Sequence, residues 1–520
     1  MRCRKELDLT KWSAVRCSAC FFMVMSLWAV VNLSQASACP TPTKPEGTGV
    51  DANNALKIDS VGDFYWLTRP GDGSTNTGGE DLINDINGFV YIELQDDIDA
   101  AAIDNCAQDN RWESPQLVGQ FDGANFTIKN LTAYVGLDQN NNPQGMGLFS
   151  ALKGGSPASE VVTVKNLTLD NFAIGESDSK PIGGIVGTIT SSGEYAISNV
   201  KIESSTIALN SATTPSNGMG GFVGSVTSSP TSVTLSGLVA KDLTLTAESL
   251  SEGKTGGLIG QVRGANKLTL TDSYFNGDIV ERRDTRIGGI IGEFNDIASS
   301  GTEGEIKNIY LVMRDGSGNP PGLDAFGIVD NGFDLPDSTS LTFSGLFQEE
   351  TGNIPTPNPK DVGGFDVTYI TPTELTASDN KTATFTNFDF SQSGPWRTNS
   401  AINSGAPYLS WEFPDPKVTI NTQGPSEAGI QVDKSSPQTV TLGQALSLNI
   451  TVNSGFVPQI ESTSTCSGTL TGTTYQTDPL IEDCTIDITA SAVTSGGGDN
   501  GSSGDASAAT GGVKAINTLT

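Results

Sequence analysis

A five-residue pattern recurs along this 520-residue chain: two glycines, two apolar residues and a third glycine. It reads Gly183-Gly184-Ile185-Val186-Gly187, Gly220-Gly221-Phe222-Val223-Gly224, Gly256-Gly257-Leu258-Ile259-Gly260 and Gly288-Gly289-Ile290-Ile291-Gly292. Met146-Gly147-Leu148-Phe149-Ser150 is a degenerate earlier copy. The copies begin at 146, 183, 220, 256 and 288, so the steps are 37, 37, 36 and 32. A fixed period of this length marks a solenoid or an array that grows by adding units. The chain is also too long for one compact core, which stops growing near 250–300 residues.

A second motif interleaves with the first and alternates apolar and polar residues around one polar or glycine position. Its copies centre on Asn130, Asn166, Asn199, Gly237, Asp272 and Asn308, as in Val162-Thr163-Val164-Lys165-Asn166-Leu167. Period-2 alternation puts Val, Ile and Leu on one face of a strand and Thr, Ser and Lys on the other. So short a strand cannot bury its apolar face alone, but stacked copies make a continuous core. The glycines are expected to supply backbone freedom for tight bends. Asn at the recurrent corner tolerates left-handed geometry and can stack into an amide ladder. An ordinary β-sandwich would need two motifs to fall in phase by chance.

At this point the units resemble GLUG-motif repeats of secreted and surface proteins of bacteria. The segments Tyr91–Asp99 and Phe121–Leu131 resemble the stretch preceding such repeats. Trp396 with Ile402–Trp411 resembles the closing segment. The resemblance covers roughly residues 57–413 and implies a right-handed parallel β-helix. Residues 314–385 depart from it, with Ala325–Val329 as an eroded sixth copy. Some members form N-terminal parts of metallopeptidases, whose HExxH motif this chain cannot contain, because it has no histidine. After Pro414, alternating Thr, Ser and Val residues with turn signals predict a small antiparallel β domain. That segment resembles cysteine-containing bacterial repeat modules. The fold class is therefore all-β: a β-helix followed by a small antiparallel domain. The expected organisation is a signal peptide (1–38), an N-terminal cap with the first coils (39–130) and the repeats (131–330). Irregular coils with a closing cap (331–413), the disulfide module (414–492) and a disordered Gly/Ser-rich tail (493–520) follow.

Five basic residues, the apolar run Ala19–Leu33 and Ala36-Ser37-Ala38 read as a secretory signal peptide. The run is shorter than the roughly 20 residues of a spanning helix, so no stable membrane insertion is expected after cleavage. Removing residues 1–38 leaves 24 basic and 57 acidic residues, a net charge of 24 − 57 = −33. Four cysteines remain, and an even count in an exported protein suggests disulfides. Cys466 and Cys484 lie 18 apart in one small segment and are paired on that basis. Cys39 with Cys106 follows by elimination, with lipidation of Cys39 as the rival.

The absence of histidine excludes Ser-His-Asp and Cys-His catalysis. Strong acidity makes nucleic acid and anionic lipid poor partners. Some parallel β-helices carry Asp and Arg clusters that cleave acidic polysaccharides. The corresponding residues here are Asp96, Asp97 and Asp99, and Arg282, Arg283, Asp284 and Arg286. The plainer expectation is that the aspartates cap the first coil and the arginines form a solvated corner. No cofactor is expected. Calcium is an outside option at Asp72–Ser74 and Asp315–Asn319, which match neither the EF-hand nor the nonapeptide array. Tyr65-Trp66 and Tyr408 with Trp411 could stack on sugars, but fit better as cap residues over the solenoid ends. The favoured function is a non-enzymatic, adhesin-like or structural module binding a glycan or another cell-surface protein. The alternative is a polysaccharide lyase or glycoside hydrolase with a site on the solenoid flank.

Overall fold

The structure is a computed structural model. It describes residues 38–69, 88–106, 111–135, 145–154, 160–175, 180–209, 218–227, 230–247, 254–281, 286–294, 302–314, 327–329, 340–349, 367–377, 381–391, 393–400 and 402–493. Residues 1–412 and 413–520 form two compact units.

The first unit is a parallel β-helix built from a 16-stranded and a 10-stranded sheet. Each strand pairs in parallel with its counterpart in the next coil. Val161–Asp170 pairs with Glu194–Glu203, which pairs with Ser232–Ala247, then Lys267–Glu281, then Glu303–Arg314 and Ser340–Glu349. The alternation becomes vertical columns. Leu56, Ile92, Phe121, Val164, Ile197, Leu235, Leu270 and Ile306 stack in register and are all buried. This is the continuous core that no single strand could make.

Corners set the cross-section. In Val161–Asp170 the buried residues are Val162 and Val164, then Leu167 and Leu169. The spacing jumps from two to three at Asn166, whose φ is +53°. One left-handed residue turns the chain and shifts the alternation, so apolar side chains face inward on both sides of the bend. Asn199, Gly237, Asp272, Asn308 and Gly345 occupy the same corner, with φ from 47° to 63°.

Asn130 occupies a different corner from the one its 36-residue spacing suggests. Its strand Thr127–Lys129 lies beside Thr168–Asp170, so Asn130 stacks on Asn171 and donates its amide to Asp99. Asn171, Ser204 and Asp242 continue this second column, each with φ of 50–52°. The two corners are five residues apart and flanked by the same alternation, so spacing alone cannot separate them.

The repeated glycines also work differently from expectation. None of the four doublets has a left-handed φ. A Cβ on Gly183, Gly220 or Gly256 would lie 2.4, 2.1 or 1.8 Å from the carbonyl oxygen three residues on. At Gly184, Gly221 and Gly257 it would meet the carbonyl of the next coil at 2.6, 2.2 and 2.1 Å. Gly187, Gly224, Gly260 and Gly292 would press on backbone at 2.4–2.5 Å. These positions need the absence of a side chain, not unusual dihedrals. In the last copy one strand, Arg286–Phe294, runs through both segments, with Gly288 beside Gly256. Gly327–Val329, within the eroded copy, pairs with it in turn.

The N-terminal end is closed by the helix Val61–Trp66, capped by Ser60. Phe64 stacks on Trp112 at 4.1 Å, Tyr65 and Trp66 are buried, and Cys39 is bonded to Cys106. The second unit holds two four-stranded sheets around Val418, Ile420, Leu448, Ile450, Tyr475, Ile486 and Ile488. Its pairings are antiparallel except that of Lys417–Thr422 with Cys484–Ala492, which is parallel. Cys466 is bonded to Cys484.

Candidate functional site

The outer face of the large sheet divides at the Asn166 corner into two unlike halves. On the near side three columns of outward residues run along the coils, and the two nearest the corner are chemically alike. One is Thr163, Ala196, Thr234, Thr269, Glu305 and Thr342; the other is Lys165, Ser198, Ser236, Thr271, Lys307 and Ser344. Neighbouring rungs are about 4.8 Å apart, and residues two apart on a strand about 6.7 Å. In these two columns the charges sit at the ends and are paired, while a third outward column at the strand starts carries Glu194, Lys267 and Glu303. Lys165 pairs with Asp122 at 3.1 Å and Lys307 with Glu305 at 2.9 Å. The three coils between carry Ala196/Ser198, Thr234/Ser236 and Thr269/Thr271, with no charge in these columns. On a chain with this acidity that is a distinct surface, small-residue and rich in hydroxyls, of which only Thr271 is buried.

Beyond the corner the outward column changes from Thr168 and Lys201 to Val239, Tyr274, Tyr310 and Phe347. The closing segment covers it. Leu375, Phe385, Phe388, Trp396 and Leu409 pack with these residues in a second, separate core. Tyr274 and Tyr310 stack at 4.7 Å, and Phe388 lies on Trp396 at 4.3 Å. Trp396 Nε1 donates to Asp272 Oδ1 at 3.0 Å, and the Tyr310 hydroxyl donates to the Pro407 carbonyl at 2.7 Å. Tyr408 is buried and Trp411 packs at the edge of this core. The pair therefore helps fix a strap along the flank; the expectation that it covers a solenoid end needs that correction.

Glu412 latches the strap. One carboxylate oxygen accepts the Leu409 N–H at 2.7 Å and the other the Tyr274 hydroxyl at 2.8 Å. Burial raises its pKa to about 7 despite those two donors and nearby Lys201 and Lys241. Burial also holds the Tyr274 and Tyr310 hydroxyls well above the ordinary phenol range. Sequence reasoning missed both the covering of this flank and the role of Glu412. A signal existed: Ile309-Tyr310-Leu311-Val312-Met313 is an uninterrupted apolar run, which reads as a strand buried on both faces.

The aspartates proposed from sequence are occupied structurally. Asp97 accepts the Thr127 N–H at 2.7 Å, and Asp96 accepts the Asp97 N–H at 2.8 Å. Asp99 caps the 3₁₀ turn Ala100–Asn105 through the Ala101 N–H. The Asn130 amide is the main cause of its lowered pKa. Arg282, Arg283 and Asp284 lie outside the described residues, as do Asp72–Ser74 and Asp315–Asn319. Arg286 is placed only through its backbone, opposite Lys254.

Two disulfides are the chemistry of an oxidising compartment. Among the described residues no helix is long and apolar enough to cross a membrane. No protein-family model matches the chain, and neither does any curated protein. A solved structure with a similar course comes from Bacteroides ovatus and bears the description "putative immunoglobulin A1 protease". The two chains are 17% identical, with a TM-score of 0.44; the match covers 71% of this chain and 95% of that one.

Proposed function

We propose that this chain is a secreted or surface-displayed bacterial protein of the GLUG-repeat kind, exported through the leader 1–38, with a right-handed helix. It acts as a non-enzymatic, adhesin-like binding module for a glycan or another cell-surface protein. The observation that supports this reading is the pair of uncharged, hydroxyl-bearing columns at Ala196/Ser198, Thr234/Ser236 and Thr269, with Thr271 buried beside them. Regular hydroxyl columns offer paired donors and acceptors at a fixed repeat, which suits a partner with repeating polar groups. The occupied aspartates weigh against the polysaccharide-cleaving alternative, because each spends an oxygen on a backbone or side-chain amide.

A glycan array combined with a reducing-sugar release assay on the mature protein tests it. Binding without release is expected. Thr234→Glu with Ser236→Glu should abolish binding while leaving the circular dichroism unchanged. Release of reducing ends would overturn the proposal, and so would binding that survives both substitutions.

A further inference from the structure

The smaller sheet holds an amine and an amide that meet at one carboxylate oxygen, all three largely buried. Lys254 opens the strand Lys254–Gly256, and Gln261 lies in Ile259–Val262, on the other side of the glycine bend. Glu293, in the next coil, sits directly beside Gln261 in the register. Lys254 Nζ lies 2.8 Å from Glu293 Oε2, and Gln261 Nε2 donates to that same oxygen. The Lys254 and Glu293 side chains are 11% and 8% exposed, and Gln261 is fully buried. The Gln261 carbonyl oxygen is buried without a hydrogen-bond partner, a costly state for an amide. The same column carries Ala151, Thr188 and Ser225 in the three preceding coils, and an amide recurs only at its first rung, Gln116.

We propose that Lys254 and Gln261 join through a side-chain amide, with Glu293 carrying the proton. Lys254 gives a proton to the Glu293 carboxylate, and the neutral Nζ attacks Cδ of Gln261. A new C–N bond forms. Glu293 returns the proton to Nε2 and takes the second proton from Nζ, the Cδ–Nε2 bond breaks, and ammonia accepts that second proton and leaves as ammonium. One amide nitrogen replaces another, so no oxidant or further reactant is needed. The carboxylate touches both nitrogens, which supplies proximity and proton transfer together. Low exposure limits competition from water. Escape of ammonium makes the step one-way. The product is a covalent ring across the Gly256–Gly260 bend, which holds that bend closed.

Tryptic digestion of the purified full chain with tandem mass spectrometry tests the proposal. The expected product is Asp242–Arg263, uncut at Lys254 and lighter by one ammonia, with no fragment ions from breaks between Lys254 and Gln261. Quantitative release of Thr255–Arg263 at its unmodified mass would overturn the cross-link. Glu293→Gln should restore that free peptide completely. Persistence of the ammonia loss in Glu293→Gln would overturn the proton-carrying role.

Discussion

At the scale of single residues, asparagine and glycine solve different problems in this helix. Asn199 sits at φ 53° and donates its amide to Asn166 at 3.2 Å. Asn199→Gly should lose about 1 kcal/mol, the worth of a hydrogen bond. Asn199→Ala should lose a further 1–2 kcal/mol or so, because alanine also resists the left-handed conformation. Urea unfolding of the two variants checks the ordering; equal losses would mean the corner imposes no dihedral constraint. Gly256 presents the opposite case, where a Cβ would meet the Ile259 carbonyl at 1.8 Å. Gly256→Ala should cost about 3 kcal/mol or prevent folding, read in the same experiment.

At the scale of elements, the strap is held by a group whose ionisation opposes its burial. Glu412 titrates near 7 in the fold against 4.5 ordinarily. A raised acid favours its protonated form in the folded state. Its contribution is full below about pH 4.5 and is lost as pH climbs through about 7. Glu412→Gln keeps an acceptor for the Leu409 N–H and cannot ionise. It should match the wild type near pH 4 and exceed it by about 1–2 kcal/mol near pH 8, a range reduced for partial exposure. Denaturant unfolding at both values gives the difference, and a constant offset between them would refute the latch. The strap also explains why the outward column changes chemistry midway. Val239, Tyr274, Tyr310 and Phe347 are apolar because a second layer lies over them.

At the scale of the molecule, two units with separate cores should unfold separately. The bond between Cys466 and Cys484 closes an 18-residue loop inside the second unit, worth about 3 kcal/mol in the chain-entropy account. Replacing both cysteines by serine should lower only the second unit's transition and leave the solenoid's in place. Differential scanning calorimetry separates the two, and a shift in both transitions would show that the units fold as one. Within the solenoid each coil rests mainly on its neighbours. Damage at one glycine bend should therefore spread along the stack instead of staying local.

The stacked architecture was readable from residues alone because every coil poses the same local problem. Alternation sets the inward face of Val162, Val164 and Leu167, and the period places the next coil's equivalents over them. The spare cysteine count likewise led to both bonds. Which of two adjacent corners Asn130 joins was not readable, since both carry the same flanking pattern. Nor was the work of the doublet glycines, which depends on how closely coils approach. The strap, the latch at Glu412 and the Lys254–Gln261–Glu293 cluster depend on tertiary structure most of all. Glu412 meets Tyr274 across 138 residues, and no local periodicity carries a contact over that distance. Repetition writes short-range pairing into the sequence, whereas a segment that folds back along the flank is placed only by the surface it finds there.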